Sequence, residues 1–441
     1  MKVLYKILGI SIIYLFLLQA CSHNVEPEEE VITLSVPSFV DFSNKGGSRS
    51  ITVLEGAYKV PPEWEAVIEV GDYWCTISKN GLTITVQAAE NPYPSLRQAR
   101  IKVSAPSGCS AIMFVNQEGT GVVTDGKYYP YLTSTKGKGV DIVIMGEGFT
   151  EAVIRNGEYF DAMERAAEAF LGTQPFKAYR DYFNIYFLEA VSQESGISDL
   201  LNKKNTKFKV STSYSEARPY LYGDLDFCWS FSGNAPVKNI DSALVVVILN
   251  DRRWIGSSWW RNTGRVVSLC SIPQFSYPYD FSSIVRRCAG GQGFGRLASE
   301  NDNIYPMLTE AARADILWYQ STGCYLNIDV TNDPTKILWK DFLWKPKYNM
   351  VGIFEGAYYY ERGVWRSEFE SCMYNDIAYF NAISRAIIVQ RILMYAGQPF
   401  SLEKFMEMDI IEPPPPTKSN FVPPLALRLP GPAMWINEEK E

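Results

Sequence analysis

From about Val31 to Gly119 apolar residues recur at every second position: Ile51 and Val53, then Leu82, Ile84 and Val86, then Ile101 and Val103, then Met113 and Val115. Turn signals separate these runs, at Gly46-Gly47-Ser48, Asn80-Gly81, Asn91-Pro92 and Ser107-Gly108. Short strands at this spacing predict a β-sandwich over 32–119. Residues 120–138, rich in Gly, Thr, Tyr and Lys, then read as a linker.

A different pattern begins at Val140. Val140–Met145 is a nearly continuous apolar run, as expected of a strand buried on both faces. Gly146-Glu147-Gly148-Phe149-Thr150 turns into a helix on which Phe160, Met163, Ala167 and Phe170 share one face. The turn lacks the further glycine and the lysine of a phosphate loop. More strands are predicted at Tyr182–Ala190 and Ala243–Leu249, and a helical stripe at Ile388, Ile392 and Tyr395 that stops near Gly397. Alternating strands and helices make 139–410 an α/β domain. The Pro-rich end, 411–441, is predicted to be an extended tail, either wrapped on the domain or loose, with Trp435 pointing to some docking.

The N-terminus changes the picture of where the chain works. Lys2 and Lys6 precede a short apolar run, Ile7 to Leu18, too short to span a bilayer comfortably. Leu18-Gln19-Ala20-Cys21 resembles a bacterial lipobox, which implies removal of 1–20 and lipidation of Cys21. Acidic residues Glu26 and Glu28–Glu30 make 21–31 a solvated tether. The expectation is an outer-membrane lipoprotein facing the cell surface, held by lipid at Cys21.

Composition removes several function classes. The 441-residue chain carries a net charge of −7, which argues against nucleic acid as a partner. Its eight cysteines show no CxxC spacing, so neither a dense disulfide framework nor a structural zinc site is indicated. Only one histidine is present, His23, beside the export signal. A Ser-His-Asp or Cys-His arrangement has no imidazole to use in either domain.

The β-rich region resembles the BACON domain in Gly46-Gly47-Ser48, Trp64, Asp72-Tyr73-Trp74, Asn91, Arg97-Gln98-Ala99-Arg100-Ile101 and Val115-Asn116-Gln117-Glu118-Gly119. That resemblance implies an all-β, immunoglobulin-like sandwich and carbohydrate binding or a spacer role. Trp64 and Trp74 either stack on sugar or fill the core.

The second region resembles the IgA-peptidase family, metallopeptidase family sixty-four. The residues that carry this are Val140 to Thr150, Tyr182 to Tyr186, Ser192 to Gly196, Gly293 to Ala298, Tyr348 through Gly356, Glu370 to Met373 and Phe380-Asn381. The family implies zinc on a Gly-rich helix. Two histidines one turn apart share a face there, a glutamate beside the first polarises the metal-bound water, and an acidic pair follows.

In this chain the positions are filled otherwise. In one register the first histidine, the glutamate and the second histidine are Cys288, Ala289 and Gln292; in the other they are Arg287, Cys288 and Gln292. Ser299 stands for the aspartate of the acidic pair, with Glu300 as a remnant ligand. Both registers lack the histidines and the general base, so no catalytic residue and no zinc or other cofactor is expected. The glycines at 290, 291, 293 and 295 would each cost about 1 kcal/mol against alanine in a helix, which points to close packing.

Ahead of this helix, Arg252 to Arg261 gathers aromatics and arginines. Trp254, Trp259, Trp260 and Arg261 are candidates for a binding surface, the other reading being that some of the tryptophans are core. The leading expectation is a pseudoenzyme that binds a host glycoprotein, peptide or glycan without cleaving it. The alternatives are an active metallopeptidase with a non-standard metal site and a structural subunit of an outer-membrane complex.

Overall fold

A computed structural model describes residues 34–55, 64–105, 108–215, 218–261, 263–415 and 434–436. The export signal, Cys21 and the acidic tether lie outside the described residues. The protein is multidomain, a β-rich N-terminal region followed by a mixed α/β region. It divides into two compact units. The first takes in Ser48–Gln87 and Ala99–Val115 with the residues up to Val40; the second takes in Asp41–Gly47, Ala88–Gln98 and everything from Asn116.

The β-rich region has β1 (Phe39–Phe42), β2 (Gly47–Thr52), β3 (Glu65–Val70), β4 (Cys75–Asn80), β5 (Thr83–Ala88), β6 (Arg97–Ser104) and β7 (Ser110–Gln117). They form a four-stranded sheet in the order β1-β7-β6-β3 and a three-stranded sheet in the order β2-β5-β4. The two-residue period of the sequence is the reason. Ile84 and Val86 on β5, Ile101 and Val103 on β6, and Met113 and Val115 on β7 are all buried, while the residues between them are more open. Trp64 and Trp74 are buried with them, which leaves neither indole face for a sugar. The Lys79 ammonium lies 4.1 Å over the Trp64 ring.

The second unit is built on a seven-stranded sheet. Its strands are β8 (Tyr128–Leu132), β9 (Val140–Glu147), β10 (Phe183–Leu188), β11 (Leu244–Leu249), β12 (Gly256–Arg261), β13 (Val266–Ser271) and β14 (Met434–Ile436), in the order β8-β10-β9-β11-β13-β12-β14. The centre is parallel: β9 pairs with β10 and β11, and β11 with β13. Ile142 and Ile144 face one apolar core, Val143 and Met145 the other, so the run read from the sequence is indeed covered on both sides. Helix α1 (Glu158–Leu171) lays Phe160, Met163, Ala167 and Phe170 into the first core.

One expectation needs correction, and one alternative is resolved. The stretch 120–138 is not a free linker, since it contains β8, antiparallel to β10 at the sheet edge. Tyr129 is buried there and donates to Glu189 at 2.6 Å. The C-terminal segment docks as an edge strand rather than lying loose. β14 pairs in parallel with β12, Trp435 opposite Trp260, and forms the other edge. Among the described residues no helix is long and apolar enough to cross a membrane.

Candidate functional site

The Gly-rich segment lies on the first face of the central sheet. Helix α2 (Phe281–Ile284) is capped by the Asp280 carboxylate, which accepts from the Ser283 amide at 2.9 Å. It runs directly into a π-helix over Val285–Phe294. The widened turn is visible where the Gly295 amide donates to the Gly290 carbonyl five residues back, at 2.9 Å. Carbonyls here turn to the sheet. Cys288 O accepts from the Ser258 hydroxyl at 2.9 Å, and Gln292 O from the Trp260 indole at 3.1 Å.

The glycines are there because neighbours occupy the space of a side chain. A Cβ on Gly291 would sit 2.4 Å from the Met373 sulfur, and one on Gly293 2.3 Å from the Ser268 hydroxyl. Such approaches outweigh the helix cost of roughly 1 kcal/mol per glycine. Close packing is thus the physical account of a glycine pattern that propensity alone disfavours.

Arg287 fills the middle of this arrangement, with only 1% of its surface exposed. Its Nη1 donates to Asp376 Oδ1 at 3.0 Å and to the carbonyls of Cys372 and Met373 at 3.2 and 3.1 Å. Its Nη2 donates to Ser299 Oγ at 2.9 Å and Asn301 Oδ1 at 2.7 Å. Asp376 caps a short helix, α3 (Cys372–Asn375), in the left-handed region. Burial pushes its carboxyl up to about 6, against the pull of Arg287. Burial opposes the charge on Arg287 too, but Asp376 together with Tyr359, Cys372 and Cys288 outweighs it and the guanidinium stays charged.

The other positions are equally committed. The Cys288 thiol is buried against β12 and β13. It lies 2.5 Å from where a Gly256 Cβ would be, with Cys270 beside it. Burial raises its pKa well above the ordinary thiol value, more than Arg287 lowers it, so it is a neutral thiol and not an activated nucleophile. Ala289 is buried and apolar; Gln292 is buried. Glu300, considered above as a remnant ligand, accepts from Asn327 at 2.8 Å, from Asn381 at 3.0 and 3.1 Å, and from the Ser371 hydroxyl. Burial raises its pKa as well.

These groups do not fit a catalytic zinc. Such a site needs three donors around an open position. Here a guanidinium stands between Ser299 and Asp376, the Cys288 thiol turns away toward the sheet, burial pushes the Cys372 thiol up and keeps it neutral, and the Glu300 oxygens already serve amides and a hydroxyl. Among the described residues, no three His, Cys, Asp or Glu side chains gather where they could hold a metal ion.

The expected binding loop is also corrected. Residues 256–261 are strand β12, antiparallel to β13. Trp254 and Trp260 are 1% and 0% exposed. Trp254 packs edge-on to Tyr279 and Trp260 to Tyr325, in the core. Trp259 turns to the opposite face, half-buried, with its indole donating to Leu221 O at 2.8 Å. Arg261 pairs with Asp226 at 2.6 Å and lies 4.8 Å over Trp229. None of the four offers a free aromatic platform.

Sequence reasoning missed Asp376 and Asn301, the groups that hold Arg287. Asp376 is 89 residues away in the chain, and no periodicity links the two. A signal existed in principle: an arginine on a Gly-rich, apolar helix has to be paired if it is buried.

Comparison with known proteins agrees with the two-part reading. Residues 131–260 match the profile of the IgA Peptidase M64 family, and residues 63–118 match BACON, described as a putative N-terminal binding domain. The first match ends before the π-helix begins. No curated protein matches the chain. A Bacteroides ovatus GH5 xyloglucanase in complex with a XXXG heptasaccharide is 20% identical over 25% of this chain and 26% of its own, with a TM-score of 0.17. A protein from Bacteroides thetaiotaomicron solved by NMR is 13% identical over 22% of this chain and 96% of its own, with a TM-score of 0.18. Likeness at that level says nothing about what this chain binds.

Proposed function

We propose that this is a lipid-anchored surface protein whose peptidase-like domain engages a glycoprotein, peptide or glycan without cutting it. The N-terminal region, an immunoglobulin-like sandwich in this reading, carries that domain outward. The observation that supports the non-cleaving role is Arg287, buried and ion-paired to Asp376 on the Gly-rich segment that resembles the family's metal helix. A fixed cation there repels a metal ion, and no imidazole is at hand to outcompete it.

Purified protein should therefore carry far less than one zinc per chain, and should leave IgA and mucin intact. Metal analysis by mass spectrometry and gel assays with and without chelator decide this. One tightly held zinc together with chelator-sensitive cleavage would overturn the reading and restore the active metallopeptidase alternative.

The anchor rests on Leu18-Gln19-Ala20-Cys21. Cys21→Ser should move the protein from the membrane fraction to the soluble one or arrest its processing. Normal maturation with unchanged membrane association would rule out lipid at Cys21.

A further inference from the structure

Helix α4 (Ala382–Tyr395) passes the C-terminal end of the π-helix, and a pocket of about 310 Å³ opens beside it. Two arginines line this pocket, Arg296 just past the π-helix and Arg391 on α4, together with Thr322, Gln390 and Tyr395. Unlike Arg286, which donates to Thr173 Oγ1 and the Asp376 carbonyl, three buried arginines of this domain have carboxylate partners: Arg287 has Asp376, Arg366 has Asp302 and Arg385 has Asp409. Arg296 and Arg391 differ. Each donates to a backbone carbonyl, of Gly264 at 3.0 Å and of Gly323 at 3.1 Å respectively. Among the described residues neither has a carboxylate within ion-pair distance; the Nε of each lacks an acceptor, as it does in Arg287 and Arg366.

Two like charges in one partly buried pocket oppose folding unless something neutralises them. Burial holds the Arg391 pKa below its usual value, with the charge of Arg296 adding to it and Tyr395 opposing it. Arg296 also stands at φ +52, in the left-handed region that glycine adopts freely and arginine does not. A strained backbone that presents a charged side chain to a pocket is a reason to look for a ligand. Guanidinium pairs take oxyanions by forked hydrogen bonds.

We propose that this pocket is an oxyanion site, in which Arg296 and Arg391 together receive the carboxylate or sulfate group of a small ligand. Its volume suits a ligand of a few tens of atoms at most. The apolar stems of Leu326 and Ile387 in the same wall suit a ligand with a hydrocarbon part beside its charge. The proposal does not rest on the non-cleaving role argued above.

The test uses the full-length protein in detergent at constant ionic strength, titrated with sodium sulfate and separately with citrate. Calorimetry and thermal unfolding are the readouts. Either anion should bind saturably, with a Kd of roughly 1 mM or tighter, and raise Tm. Arg296→Gly and Arg391→Gln should each weaken binding at least tenfold. Both variants should melt no lower than the wild type without anion, because one relieves the backbone and the other removes a like charge. Sulfate binding alone would identify a sulfated ligand, and citrate binding alone a carboxylated one. If Arg391→Gln fails to fold, Arg296→Gly decides by itself. Absence of saturable binding to both anions, or undiminished binding in Arg296→Gly, would overturn the site.

Discussion

Arg287→Met should cost about 3–5 kcal/mol of folding stability at pH 8 and much less at pH 5. The loss at high pH comes from Asp376, which is left as a buried carboxylate with its counter-charge gone. Its folded pKa is already about 6 beside the guanidinium. A carboxyl whose folded pKa lies above its unfolded value contributes stability that is present below the unfolded pKa and lost as pH rises through the folded one. Removing Arg287 takes away the larger part of the attraction that opposes burial and leaves that of Arg286, so the folded pKa climbs further and more stability is lost by pH 8. At pH 5 the carboxyl of the variant is protonated when folded. What remains is the loss of the hydrogen bonds to Ser299, Asn301 and two carbonyls, on the order of 1–3 kcal/mol. Urea unfolding of wild type and variant at both pH values measures this. The double change Arg287→Met with Asp376→Asn should abolish the extra pH dependence. Equal losses at pH 5 and pH 8 in the single variant would show that Asp376 is not the group responsible.

How far the sequence reached follows from what each residue does. Val140–Met145 was readable because both faces of β9 are apolar, and nothing but a central strand satisfies that pattern. Tyr128–Leu132 was not, because Pro130 and the glycines around it look like linker chemistry. An edge strand tolerates proline, having one side without sheet partners. Strand β12 hid for a different reason. Ser257 and Ser258 break its apolar alternation, yet both are buried and bonded, Ser257 accepting from the Leu221 amide and Ser258 donating to Cys288 O. Trp254 and Trp260 then looked like surface aromatics beside arginines when they are core. At the candidate site, the missing histidines and glutamate were plain from composition. The direction in which Arg287 and Cys288 point was not, since it depends on the π-helix and on contacts with residues 299–301 and 372–376.

That direction gives the two registers left open by the sequence different expected outcomes. Cys288 faces β12 and β13, where a Gly256 Cβ would already be too close, so an imidazole at 288 would overpack the sheet side. Arg287 instead ends between Ser299 and Asp376, at 2.9 and 3.0 Å. A histidine at 287 is shorter than arginine, and a zinc ion bound to its ring, about 2.0–2.1 Å beyond the nitrogen, would come near the place of the guanidinium. With Ser299→Asp a second carboxylate joins Asp376, and the metal replaces the lost positive charge. Arg287→His with Ser299→Asp should therefore bind zinc at least 100-fold more tightly than the wild type, since a zinc site with three protein donors far exceeds anything the present groups offer. Cys288→His with Gln292→His should lose stability instead and gain less affinity. Competition with a fluorescent zinc chelator, alongside unfolding curves for both variants, measures the outcome. Cleavage need not return, because Ala289 supplies no base and the partners that orient the ligands count for roughly 10–100-fold. If the 287/299 variant folds and holds zinc no better than the wild type, while the 288/292 variant does bind it, the pocket around Asp376 is not the descendant of a metal site.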